Sequence, residues 1–145
     1  MTTIAFKDGV LAADTGIYYG GTYSGRTIKI VKDKHGQLAG LSGNLGDMSA
    51  FHEWFLGGCD DTFPEFAEKD SEGFIINNDD EIKFCGKSGR FTYIDGPFYV
   101  CGSGSHIATG ALANGASAEE AVLIAVEYDD CTEKPITILK LGNES

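Results

Sequence analysis

Apolar and polar positions fall in short runs along the first part of the chain. Thr2–Phe6 and Val10–Ala13 read as strands, joined at Lys7-Asp8-Gly9, where Asp-Gly is a hairpin signal. Val10–Ala13 is small and apolar throughout, the pattern of a strand buried on both faces. Gly16, Gly20, Gly21 and Gly25, interleaved with Tyr18, Tyr19 and Tyr23, make Ile17–Arg26 read as a loop. Thr27–Val31 is a third strand, with Lys29 set between Ile28 and Ile30, and Gln37–Leu41 is a fourth.

The period then changes. Asp47 stands as an N-cap, and Met48, Phe51, Trp54 and Phe55 follow at helical spacing until Gly57-Gly58. Cys59–Glu72 is acidic and irregular, with at most a short helix at Pro64–Lys69. Phe74–Ile76, Ile82–Cys85, Arg90–Ile94 and Phe98–Cys101 are short strands separated by turn residues. Gly102–Ser105 breaks the pattern, and a small-residue helix runs from His106 to Ala113. Ser117-Ala118-Glu119-Glu120 is a capping box that opens a helix to about Asp129. Ile136–Leu141 is a last strand. Strands and helices come in blocks, which predicts an α+β protein of antiparallel sheets with helices stacked on them. With no linker and no repeat, residues 1–145 read as a single domain.

Composition narrows the function. Apolar residues make up 42% of the chain, so a packed core is expected. The net charge of −11 and the absence of any Lys/Arg cluster exclude nucleic acid and anionic membrane as partners. Cys59, Cys85, Cys101 and Cys131 are scattered, and His35, His52 and His106 stand at no zinc-ligand spacing from them. No metal or cofactor is expected, and reduced thiols fit a cytoplasmic protein. No apolar run approaches the length of a membrane span, and no signal-peptide core follows Met1.

The candidate chemistry is at the start. A strand that begins at the second residue needs its end held inside the fold. If Met1 is removed, that end is a threonine carrying a hydroxyl and a free α-amine, a known form of activated nucleophile. Other positions carry chemistry only in combination. Asp14 alone is a turn residue, and Lys29 alone is the solvent face of a strand. Gly43 alone is a turn glycine and Ser103 a helix cap. Trp54, Phe51 and Phe55 are core or a subunit contact. Asp129 ends a helix at the wrong pole for a carboxylate, so it asks for another partner.

Three stretches together resemble one family. Thr2–Lys7 with Gly9–Asp14 is similar to the start of a mature proteasome β subunit. Leu38–Gly43 leading into a helix, and Cys101–Ser105 before a small-residue helix, follow in the same order. The pattern also occurs in HslV, the bacterial proteasome-related peptidase. The resemblance implies the four-layer αββα sandwich of the N-terminal nucleophile hydrolases, two antiparallel sheets flanked by helices. It implies Thr2 as nucleophile, Lys29 beside it and Asp14 supporting the lysine. Gly43 would supply the oxyanion N–H, and Ser103, Asp129 and Thr132 would hold the free amine. Leu41 and the Gly16–Tyr23 stretch, Thr22 included, would line the pocket for the substrate side chain. An α-amine titrates near pH 7.7–8.0, so it can act as base, and a Lys29 cation would lower that value and favour the threonine oxyanion.

The implied activity is a threonine peptidase acting on peptides or unfolded chains, within a homo-oligomeric ring and with an ATPase unfoldase as partner. A small-amide hydrolase of the same superfamily and a catalytically silent ring or scaffold protein are the alternatives. The chain is shorter than the relatives it resembles, and Cys59–Glu72 stands where they carry a long helix that takes part in ring-to-ring contact.

Overall fold

The computed structural model describes residues 2–143; Met1, on whose removal the chemistry above depends, lies outside them. The described residues form antiparallel sheets and three helices. The α+β class read from the segregated pattern is therefore the observed one.

The described residues divide into two compact units, one of residues 2–29 with 97–140 and one of residues 30–96 with 141–143. The first unit holds β1 (Ile4–Lys7), β2 (Val10–Ala13), β3 (Gly16–Tyr19), β4 (Thr22–Arg26), β10 (Tyr99–Cys101), α2 (Ser105–Ala113), α3 (Ala118–Tyr128) and β11 (Thr137–Lys140). Its main sheet runs in the order β10-β1-β2-β11. The Asp8-Gly9 turn does what its sequence asks: both residues take positive φ, and the hairpin pairs Ile4 with Ala13 and Lys7 with Val10. Alanines let the helices come close to this sheet. Ala5 and Ala12 pack with Ala108, Leu112, Ala118, Ala121 and Val122. The Ser117–Glu120 capping box forms in full.

Ile17–Arg26 is not a loop. Gly20 and Gly21 take positive φ and make a tight turn, so the glycines mark the bend of a β3–β4 hairpin, and Tyr18 lies across from Tyr23. The third strand also starts later than its sequence reads, at Ile30, which leaves Lys29 just ahead of it rather than within it.

The second unit is a five-stranded sheet in the order β5-β6-β7-β8-β9, made of β5 (Ile30–Lys32), β6 (Leu38–Ser42), β7 (Glu72–Ile76), β8 (Ile82–Cys85) and β9 (Thr92–Ile94). The helix α1 (Leu45–Leu56) packs on it through Met48, Phe51 and Phe55. The acidic Cys59–Glu72 stretch forms no helix at Pro64–Lys69. Phe63 and Phe66 pin it instead, against Trp54 and Phe51 at ring-centre distances of 5.1 and 5.8 Å.

Asp47 is not the N-cap of α1. Asn44 is, accepting the Asp47 N–H. The Asp47 carboxylate, three residues in, turns to the irregular stretch and accepts from Ala67 N–H at 2.7 Å, Glu68 N–H at 3.1 Å and the Ser71 hydroxyl at 2.8 Å. Burial pushes its pKa up, but these hydrogen bonds outweigh burial and leave it below the ordinary value. A carboxyl depressed in the fold stabilises above its unfolded pKa and loses that contribution as pH falls through the folded value. Asp47→Asn is therefore expected to cost about 2 kcal/mol at neutral pH, from charged hydrogen bonds weakened. In urea unfolding the gap to wild type should close below about pH 4, the ordinary carboxyl range; a gap independent of pH would contradict this account.

Candidate active site

The start of the chain is held by its main chain. The Thr2 carbonyl accepts from Gly104 N–H at 3.2 Å, and the Thr3 carbonyl accepts from Asp14 N–H at 3.1 Å. Thr3 N–H donates to Asp14 Oδ1 at 3.0 Å. Thr2 and Thr3 precede β1 and are buried, at 5% and 0% exposure. The Gly-Ser-Gly run makes this possible. Gly102 has φ +98° and lies against Thr2, where a Cβ would stand 2.0 Å from the carbonyl oxygen. A Cβ on Gly104 would stand 1.9 Å from Thr3 Oγ1. Neither position tolerates a side chain while residues 2 and 3 stay where they are.

Asp14 follows β2, in a position with no exposure. Both its oxygens are used. Oδ1 accepts from Thr3 N–H and from Lys29 Nζ, the latter at 2.9 Å. Oδ2 accepts from Gly16 N–H and Glu133 N–H, each at 3.2 Å. Lys29 is itself 1% exposed, so the pair is a buried ion pair. Burial pulls the Lys29 ammonium below its usual pKa, while the charge and hydrogen bond of Asp14 push back. A cation taken from water and seated on a carboxylate beside the chain start is a fixed source of positive potential there.

A second polar group lies on the other side of Thr3. Asp129 caps the C-terminus of α3, and its Oδ2 accepts from the Thr132 hydroxyl and, at 3.4 Å, from Ser103 Oγ. Thr132 Oγ1 is 2.8 Å from Thr3 Oγ1. Asp129 thus has the partner that its place at a helix C-terminus requires.

Asp14, Lys29, Ser103, Asp129 and Thr132 therefore converge on Thr2-Thr3, all within the first unit. Thr22 is exposed on β4 of the same unit. Gly43 and Leu41 belong to the second unit. Gly43 is exposed at φ +139°, and a Cβ there would meet Ser71 at 2.6 Å. Leu41 has no exposed surface and packs in the aromatic core with Met48 and Phe51. A cavity of about 650 Å³ in that unit, lined by Phe55, Leu56, Ile75, Lys83 and Tyr93, contains none of the candidate residues.

Two contributors escaped the sequence reading. Glu133 acts through its peptide N–H, which carries no side-chain signal. Thr3 left one trace: a hydroxyl beside a strand end expected to be held inside the fold, which must find a partner there.

No family model matches the chain, and no curated protein matches it. Its fold is found in solved structures. A structure of Thiobacillus denitrificans BPH in complex with epoxomicin is similar, with a TM-score of 0.63 and 21% sequence identity over 98% of this chain and 99% of that one. A second structure of Thiobacillus denitrificans BPH is similar over 99% of both chains, again with a TM-score of 0.63 and 21% identity. At that identity the likeness speaks for the fold. No described helix is long and apolar enough to cross a membrane.

Proposed function

We propose that the protein is a threonine-type endopeptidase of the proteasome and HslV kind, acting after removal of Met1. The observation that carries the reading is the single oxygen, Asp14 Oδ1, that holds both the buried Lys29 ammonium and the N–H of the residue after Thr2. A similar structure bound to epoxomicin, a proteasome inhibitor, supports the same reading.

In this reading the chain takes the four-layer αββα arrangement of the N-terminal nucleophile hydrolases. Thr2 Oγ attacks the carbonyl carbon of a peptide bond while its proton passes to the Thr2 α-amine. Lys29 stabilises negative charge on the threonine oxygen, and Ser103, Asp129 and Thr132 hold the amine. Gly43 N–H stabilises the tetrahedral oxyanion, a contribution of roughly 10²–10³ in rate for one such donor. The C–N bond then breaks, the leaving amine takes the proton, and an ester to Thr2 remains. Water attacks that ester and releases the new carboxylate. Substrates are peptides or unfolded chains, processed within a homo-oligomeric ring in the cytoplasm, with an ATPase unfoldase as feeder.

The test is intact mass spectrometry of the purified protein with and without epoxomicin. A wild type that lacks Met1 and gains one adduct, beside a Thr2→Ala variant that gains none, is the expected result. An unlabelled wild type with Met1 in place would refute the reading. Size-exclusion mass then reports whether a ring forms.

A further inference from the structure

Thr3 touches both polar groups of the site. Its N–H is on Asp14 Oδ1, the oxygen that holds Lys29, and its hydroxyl is on Thr132, which is on Asp129. The direction of this hydroxyl chain follows from counting protons. Thr132 has one hydroxyl proton and gives it to the Asp129 carboxylate. Between Thr3 and Thr132 the donor must then be Thr3. The chain runs Thr3 O–H to Thr132 O–H to Asp129 Oδ2, with Ser103 O–H reaching the same oxygen. Each hydroxyl polarises the next, and its buried members, Thr3 and Thr132, are fixed more firmly than by separate bonds. Gly104 leaves no slack, because any Cβ built on it would collide with Thr3 Oγ1.

We infer that Thr3 is a positioning residue for the reaction of Thr2, a role that rests on the threonine-peptidase reading. Its N–H sets the start of the chain against the Asp14–Lys29 pair. Its hydroxyl sets it against Thr132 and Asp129. Thr2, one peptide unit away, is held between the two groups that are to handle its hydroxyl and its amine. Replacing the hydroxyl by a methyl of the same shape keeps the packing and the N–H but cuts the link to Thr132.

The experiment is the concentration dependence of epoxomicin labelling for wild type, Thr3→Val, Thr3→Ser and Thr132→Val. The expected result is that Thr3→Val lowers the maximal labelling rate about tenfold, as loss of a buried hydrogen bond converts to rate, with the half-saturating concentration unchanged within about twofold. Thr3→Ser should restore the rate to within about threefold. Thr132→Val cuts the same link from its other end, so the double variant with Thr3→Val should be no slower than the slower single. It also serves if Thr3→Val fails to fold. A labelled wild type with Thr3→Val at the same rate overturns this inference alone. So does a Thr3→Ser variant as slow as Thr3→Val. An unlabelled wild type overturns the peptidase reading and this inference together.

Discussion

Asp14→Ala should lower the unfolding free energy by about 3–5 kcal/mol, the usual cost of stranding one partner of a buried ion pair. For a chain of this length that is a fall of roughly 10–20 °C in melting temperature. The cause is Lys29, which is 1% exposed and would be left in the interior without the carboxylate that accepts from it at 2.9 Å. Three peptide N–H groups, from Thr3, Gly16 and Glu133, would lose their acceptor as well.

Asp14→Asn should be no remedy. Every neighbour of the two carboxyl oxygens is a donor, so the amide nitrogen of an asparagine would face an N–H or the ammonium whichever way it turned. A double change that removes both charges, Asp14→Leu with Lys29→Met, should recover part of the loss, since a buried pair contributes less to stability than breaking it costs. Thermal and urea unfolding of the four proteins decide the matter. An Asp14→Ala variant within 1 kcal/mol of wild type would mean that the pair is not buried as described.

The contrast between Asp14 and Asp47 shows what was legible in the sequence. Asp14 closes a short apolar strand with a turn behind it, and its place in the chain alone marks it as the end of β2. Asp47 reads equally well as a helix cap, and its side chain goes elsewhere because Ala67, Glu68 and Ser71 lie within reach, contacts set by tertiary packing. The same limit explains the β3–β4 hairpin. Glycines and tyrosines in alternation fit a loop or a tight turn between two aromatic strands, and only cross-strand pairing of Tyr18 with Tyr23 separates the two. Ser103, Asp129 and Thr132 could be picked out because their order matches a family pattern, and α3 then delivers Asp129 to Thr132 across one turn of chain. Thr3 could not be ranked above Thr2 or below it, because strand alternation says only that neighbours face opposite ways.

Lys29→Met should separate function from folding. The variant keeps the long unbranched stem and removes the ammonium. The Asp14 carboxylate that remains still accepts three peptide N–H bonds, so the fold should lose less than in Asp14→Ala. Epoxomicin labelling and peptide turnover should nonetheless fall by about 10³-fold or more, because the proposed reaction needs a cation beside the threonine oxygen as its proton leaves. Burial pulls the Lys29 pKa below the usual lysine value, and the charge and hydrogen bond of Asp14 push it back up, so Asp14 is what favours the charged form. Lys29→Arg should not rescue. A planar guanidinium is wider than an ammonium and spreads its donors over a fork, whereas the buried slot here seats Nζ at 2.9 Å from Asp14 Oδ1. Asp14→Ala should be the least stable of the three, and Lys29→Met should be inactive while still folded. A Lys29→Met protein that labels within about tenfold of wild type would remove Lys29 from the mechanism, since loss of one such stabilising group ordinarily costs more than that. The ion pair would then stand as a purely structural feature of the first unit.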